Sequence, residues 1–493
     1  MATLEWNKLL CTKRERESKS GSSINPVRKS GSSINPVRNE FEADYDRIVG
    51  SSSVRRLQDK AQVFPLQQND VARTRLTHSM EVSALARSLG KAVGRRLEEK
   101  EIFQDREQTE KLSALLQVAG LIHDLGNPPF GHYGETVIRD WFGKWFSGEA
   151  MLSEERNSLS EQQKNDFIYF DGNVQNLRIV TKLQVQNDNK GANFTYGTLA
   201  TIMKYPWSSE SRPKGKIKFG YFESEQELAE AVRREIGLEA GVRHPATYLL
   251  EAADDIIYIC DDIEDGTKKG YIEWEKEFET LYQKAEKGSY GEEIEKLLIN
   301  VKRKNENVDS RMHDKEQVIA YVRNFRNMVQ SFLFKKVVDQ FMNQYERIMS
   351  NDPKADVEEL LSVERAFVKD LKNITAKQCF SSDEVLNLEL TGDKVISTLL
   401  DVFVRTLTEH DGHELSDTRT YAGKIFRKIS RNFIYIAESK INDSNYVGNL
   451  YSEDLINKLS VYDRLHLVVD YVSGMTDSYA VKVYQELTAM KHP

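Results

Sequence analysis

Two histidines and two aspartates stand on apolar helical faces in three separate stretches: His78 in RTRLTHSME, His123 and Asp124 in LIHDLGNPPFGH, and Asp254 in EAADDIIY. A single histidine on such a face is ordinarily a satisfied core residue. A carboxylate there needs a cation or dense hydrogen bonding to offset its desolvation. Two of each, directed inward from three segments, point to a metal centre. Mixed imidazole and carboxylate donors with open positions suit Mn²⁺, Fe²⁺, Co²⁺, Ni²⁺ or Mg²⁺. Such an ion polarises a phosphoryl oxygen and lowers the pKa of bound water. Close by, His132 and Glu135 follow a PPFG turn, three residues apart. A glutamate in the first turn of the next helix can hydrogen-bond that imidazole, which is a general acid/base arrangement. A capping glutamate beside an exposed histidine would have the same spacing.

The elements that must hold these residues are helices. Thr77 is read as a cap for a helix with His78, Val82, Leu85 and Leu89 on one face. Leu115, Leu116, Ala119, Ile122 and His123 form a second stripe, which Gly126-Asn127-Pro128-Pro129 ends. A third helix carries Val137, Ile138, Trp141, Phe142, Trp145 and Phe146. His244-Pro245 opens a fourth over 246–260, with Leu249, Leu250, Ala253, Ile256 and Ile257 inward. On that helix Asp254 lies on the ridge of Leu250 and Ile257. Asp255 shares its ridge with Glu251 and Tyr258 and is expected behind the metal or at the surface. Residues 150–225 mix turn signals with short β-like runs at 194–205 and 217–222. From 266 to the end the chain is charge-rich and helix-periodic. The expected fold is mainly α: an N-terminal segment (1–40), a helical core with a small β-like insert (41–270), and an elaborated helical C-terminal half (271–493).

Composition narrows the class. The chain has 493 residues, a net charge of −8, and 39% hydrophobic against 30% charged residues, enough for a core with a well-solvated surface. Ten prolines favour long helices. No run reaches the ~18 consecutive apolar residues of a membrane span, and residues 1–16 lack a signal-type apolar stretch. Cys11, Cys260 and Cys379 have neither metal-type spacing nor the number for a disulfide framework. A cytoplasmic protein is expected. The acidic balance argues against a general nucleic-acid coat, and no GxxxxGK[ST] string is present, against a P-loop ATPase. Residues 20–29 (SGSSINPVRK) and 30–39 (SGSSINPVRN) are a near-perfect tandem repeat of loop-forming composition. Its Arg28, Lys29 and Arg38 could touch phosphates, but nothing in the sequence requires it.

The order RRLQDKAQVFPL, ARTRLTHSMEV, HDLGNPPFGHYGE, YLLEAADDIIYICDDIED resembles the HD superfamily of metal-dependent phosphohydrolases. Within it, the order resembles the bacterial deoxynucleoside triphosphate triphosphohydrolases of the dGTPase type. The resemblance covers about residues 41–270, and the 20–39 repeat departs from it. It implies His78, His123, Asp124 and Asp254 as ligands of a divalent ion, Mn²⁺ or Mg²⁺. It implies His132 and Glu135 as the catalytic pair. It places Arg75 near the α-phosphate, and Lys204, Tyr205 and Lys218 on phosphates or closing the pocket. Tyr258 would stack on the sugar, Asp262 and Gln62 would meet its 3′-hydroxyl, and Val63 would wall off a 2′-hydroxyl, which accounts for deoxyribose selectivity. The implied reaction is hydrolysis of a dNTP to deoxynucleoside and tripolyphosphate.

The resemblance also implies a homo-oligomer, hexamer or tetramer, and a nucleotide or single-stranded-DNA effector. The basic, aromatic string 424–431 is one surface for such an effector, although a solvated amphipathic helix reads the same way. Guanine preference follows from the dGTPase label alone, since no base-reading residue is legible. Two alternatives stay open. One is an HD phosphohydrolase acting on a cyclic nucleotide, (p)ppGpp or a nucleoside monophosphate. The other is a nucleotide- or DNA-binding regulator without turnover.

Overall fold

Capping side chains set the helix starts. Thr74 and Thr77 exchange hydrogen bonds reciprocally: the Thr77 N–H donates to Thr74 Oγ1 (3.4 Å) and the Thr74 N–H to Thr77 Oγ1 (3.0 Å). The helix that carries His78 therefore begins at Arg75, one turn earlier than the Thr77 cap read from the sequence. Asp105 caps the helix that leads to His123 by accepting from the Gln108 N–H (3.1 Å). His244 accepts from the Ala246 N–H (3.1 Å) and Pro245 takes the first helical position, as the sequence leads one to expect.

A computed structural model describes residues 3–16, 38–62, 73–148, 158–185, 188–355, 357–439, 441 and 450–490. Val63 and residues 20–37 of the tandem repeat lie outside the described residues. The helices that matter below are α1 (Glu40–Val49), α2 (Arg75–Glu99), α3 (Arg106–Ile122), α4 (Gly131–Ser147), α5 (Gly172–Arg178), α6 (Tyr196–Ile202), α7 (Pro245–Lys268), α8 (Asp314–Asn343), α9 (Arg365–Gln378), α10 (Asp383–Glu409), α11 (Val461–Ser473) and α12 (Asp477–Leu487). The fold is all-helical, and among the described residues β pairing is limited to isolated bridges such as Ser208 with Tyr221. The run 194–205 differs from its β-like reading because its hydroxyls bond locally. Thr195 caps α6 through the Thr198 N–H (3.3 Å), and Thr201 Oγ1 donates to the Gly197 carbonyl (2.8 Å).

Helices α2 and α3 lie against each other, with α1 on α3. Gly120 permits the close crossing, since a Cβ there would stand 2.7 Å from the Ser83 Cα. That approach brings the His78 and His123 rings to 5.4 Å between centroids. Helix α7 packs against α2, α3, α8 and α9. Helix α10 contacts both α4 and α11, joining the C-terminal half to the first. One apolar core runs through all of this, with Phe41, Phe142, Phe167, Trp274, Phe341 and Phe403 fully buried. No described helix is long and apolar enough to cross a membrane.

A buried ion pair locks α5 to α11. The Arg178 guanidinium donates to both Asp470 carboxylate oxygens (Nε 2.7 Å, Nη2 2.7 Å) and to Glu225 (2.9 Å). Breaking such a pair leaves an uncompensated charge and costs about 3–5 kcal/mol. Asp470→Ala is therefore expected to lower the denaturant midpoint sharply. A midpoint unchanged from wild type would mean the guanidinium finds another partner.

Candidate active site

The helix crossing converges His78, His123 and Asp124, whose ligand atoms lie within 4.8 Å of one another. Asp254, from the middle of α7, closes the set. Its Oδ1 is 3.1 Å from His78 Nε2 and 3.5 Å from His123 Nε2. His123 lies at the C-terminal end of α3, where its Nδ1 donates to the Gly120 carbonyl (2.8 Å). That bond fixes the tautomer and leaves Nε2 as a lone pair. His123 Nε2 is buried without a hydrogen-bond partner, as a cation ligand would be. Burial alone would depress the His123 pKa, but Asp124 and Asp254 outweigh it and raise it to about 9. Burial would raise both carboxyls, yet the two histidines, with Arg75 also beside Asp124, hold them well below the usual range. Two anionic carboxylates around an imidazole that would accept a positive charge are a donor set suited to a divalent ion.

Asp255, next along α7, points elsewhere: it accepts from Lys372 Nζ of α9 (3.0 Å). The helical ridge argument thus distinguishes the two aspartates correctly. Asp254→Asn is expected to weaken Mn²⁺ binding at least about tenfold by calorimetry, and Asp255→Asn to leave it within twofold. Equal effects would place both carboxylates at the ion.

His132 and Glu135 meet as expected, His132 Nδ1 lying 3.1 Å from Glu135 Oε2. Glu135 is buried, and its other oxygen accepts from the Gly172 N–H at the start of α5 (2.8 Å). The His132 side chain is 76% exposed, so its free Nε2 is open to a substrate. Its pKa is raised, first by the Glu135 hydrogen bond. The charges of Arg75 and Asp124 reach His132, so the pair and the metal residues share one field.

Of the other expected contacts, Arg75 touches this centre directly. Arg75 is buried, with Nη1 donating to Asp124 Oδ2 (2.6 Å), and a Cβ on Gly131 would press on its Nη2. Lys204 pairs with Glu251 (3.1 Å) and Lys218 with Asp171 (3.5 Å), each with its ammonium 5.9 Å from the Tyr205 ring centroid. Burial would lower Lys204, but Glu251 and Tyr205 raise it. Both lysines are therefore cationic. Tyr258 and Asp262 lie one turn apart on α7 and act on each other electrostatically. Burial, and then Asp265, hold Asp262 well above the usual carboxyl range. Among the described residues, Gln62 Oε1 and Asp262 Oδ2 are buried and have no hydrogen-bond partner.

Sequence reasoning did not find Glu251, Asp171 or Arg243, which also pairs with Glu251; an acidic residue facing a lysine from another segment leaves no local signal. In the basic string 424–431, Arg427 stacks over Tyr451 (3.8 Å) and Lys428 pairs with Glu486 (3.1 Å).

An all-helical body with His, His-Asp and Asp donors converging at one helix crossing defines an HD-type phosphohydrolase. The HD domain family matches residues 75–166, and the phosphohydrolase-associated domain matches residues 436–486. The chain is 36% identical over 503 aligned positions to the deoxyguanosinetriphosphate triphosphohydrolase-like protein of Listeria monocytogenes, covering 99% of this chain and all of the relative. It is 31% identical to the deoxyguanosinetriphosphate triphosphohydrolase of Klebsiella pneumoniae, over 92% of this chain and 94% of that one. It is also 31% identical to a deoxyguanosinetriphosphate triphosphohydrolase-like protein of Pseudomonas aeruginosa, over 99% of this chain and all of that one. The chain belongs to the deoxyguanosinetriphosphate triphosphohydrolase-like family of HD-domain phosphohydrolases.

Proposed function

We propose that the protein hydrolyses deoxynucleoside triphosphates at the α-phosphorus, dGTP preferred, releasing deoxynucleoside and tripolyphosphate and so acting on the dNTP pool. The observation that carries this reading is the grouping of His78, His123 and Asp124 beside an exposed, carboxylate-anchored His132. The name of the Klebsiella relative supports the choice of substrate.

A divalent ion, Mn²⁺ or Mg²⁺, held by His78, His123, Asp124 and Asp254 supplies Lewis-acid polarisation of the phosphoryl oxygen. The chain's own groups do the rest. His132 Nε2 takes a proton from the attacking water, with Glu135 holding Nδ1–H and favouring the imidazolium that results. Lys204 and Lys218 neutralise the phosphate chain. Arg75, through Asp124, holds that carboxylate in place. Tyr258 stacks on the sugar, and the unpartnered acceptors of Gln62 and Asp262 take its 3′-hydroxyl. Tyr205 closes the pocket around it. The active species is a homo-oligomer, hexamer or tetramer, with a nucleotide or single-stranded-DNA effector; light scattering with and without dNTPs tests both.

Incubating each dNTP with protein and Mn²⁺, and resolving products by anion exchange, tests the reaction. Tripolyphosphate and deoxynucleoside are expected, fastest from dGTP. Intact dNTPs with cleaved (p)ppGpp or cyclic nucleotide would keep the HD core and overturn the substrate.

A further inference from the structure

The C-terminal region reaches the site through one carboxylate. Asp477, the first residue of α12, is 2% exposed. Its Oδ2 accepts from the Ala61 N–H (2.9 Å) and its Oδ1 from the Phe130 N–H (3.0 Å). These amides belong to two different parts of the site. Ala61 precedes Gln62 and bridges to Thr74, the cap of α2. Phe130 ends the turn after Asp124 and stands two residues before His132. Phe130 has φ +62° and Gly131 φ +59°, so a left-handed pair is held at the mouth of α4; a non-glycine residue in that region is strained and needs external support.

Lys60 makes a parallel tie. Its buried ammonium donates to the Asn127 carbonyl (2.5 Å) in the same turn and to the Ser473 carbonyl (3.1 Å) at the end of α11. The Lys60 carbonyl accepts from the Arg75 N–H (3.0 Å). Burial pushes Lys60 down to about 7, and Asp477 is the largest charge acting against that fall. Three catalytic parts, the Gln62 segment, the start of α2 and the Asn127–Phe130 turn, are therefore fastened to the segment 473–477 by two buried charged side chains.

Building on the nucleotide-hydrolysis reading above, we infer that Asp477, seconded by Lys60, is a positioning residue: it sets the register between the Gln62 segment and the turn that presents His132, making the C-terminal region a structural part of the active site. Asp477 touches no reacting atom. Both its oxygens accept from backbone N–H groups, and asparagine can supply only one acceptor, its NH₂ facing the other amide donor to donor.

The test compares Asp477→Asn and Lys60→Met with Val469→Ala, a cavity substitution at a buried position of α11. Amide exchange read by mass spectrometry on peptides spanning 58–62 and 126–132 is expected to accelerate in Asp477→Asn and, for the second peptide, in Lys60→Met. Both peptides stay protected in Val469→Ala. Displacements of this kind near reacting groups cost up to ~10²-fold, so kcat/KM for dGTP is expected to fall about 10- to 100-fold in both clasp variants. In Val469→Ala it stays within twofold below its melting temperature. A wild-type enzyme inert to dNTPs would overturn the substrate reading only; exchange and Mn²⁺-dependent cleavage of bis(p-nitrophenyl) phosphate then carry the comparison, with the same losses expected. A lower melting temperature in Asp477→Asn with wild-type exchange, or with turnover within twofold, would show a purely structural residue and overturn the inference.

Discussion

His123→Ala is expected to abolish metal-dependent turnover, lowering kcat/KM by at least about 10³-fold with Mn²⁺ at its wild-type optimum. A metal acting as Lewis acid contributes several kcal/mol to the transition state, and each ~1.4 kcal/mol is tenfold in rate. His123 holds a central place in the set: its Nε2 is 3.5 Å from both Asp124 Oδ1 and Asp254 Oδ1. Without it, two carboxylates face each other with His78 alone between them, and the ion loses a neutral donor that no neighbour replaces. The fold should survive, because the hydrogen bond from Nδ1 to Gly120 that is given up lies within one turn at the end of α3. The measurements are bound manganese by mass spectrometry, the rate, and a thermal melt. Retained manganese with a rate within tenfold of wild type would put the ion elsewhere.

The convergence of these histidines and aspartates was legible because chemistry and periodicity coincide in it. His78, His123 and Asp254 each fall on an apolar stripe of a long helix, so residue type and facing direction can be read together. Asp254 could even be told from Asp255, whose ridge leads to Lys372. Boundaries were less legible. The α2 cap lies at Thr74 because two threonines bond reciprocally, and either could have been the cap from composition alone. The run 194–205 carries β-branched residues that resemble a strand until their hydroxyls are seen capping and back-bonding a short helix. What was not legible at all depends on distance along the chain. Asp477 contacts Ala61 across 416 positions, and Arg178 meets Asp470 across 292; no local pattern marks a carboxylate whose partner is a backbone amide in another segment. The lysines show the intermediate case. The resemblance singles out Lys204 and Lys218, but the acids that hold them, Glu251 and Asp171, come from α7 and from the cap of α5.

The second large effect concerns the exposed histidine. His132→Ala is expected to lower kcat about 10²- to 10⁴-fold, the range a positioned general base contributes, with bound manganese unchanged because His132 is not among the grouped ligands. Glu135→Gln separates orientation from proton transfer. The glutamine keeps an oxygen for the Gly172 N–H but turns an amide, or a neutral oxygen, toward Nδ1. The raised pKa of His132 comes first from the Glu135 hydrogen bond. In wild type the imidazole is therefore neutral, and able to accept a proton, only above a pH higher than the ordinary histidine value of 6.5. The acid limb of kcat/KM should lie above that value. Removing the carboxylate lowers the His132 pKa, so the limb in Glu135→Gln moves to lower pH even as the plateau falls about 10- to 100-fold through loss of the oriented tautomer. The opposite assignment, His132 as a proton donor to the departing oxygen, gives the opposite signature. Activity would then need the imidazolium, and the alkaline limb, not the acid one, would shift downward in the glutamine variant. A pH profile of wild type and Glu135→Gln at saturating Mn²⁺ decides between them, and a profile displaced on neither side would mean that His132 does not carry the proton.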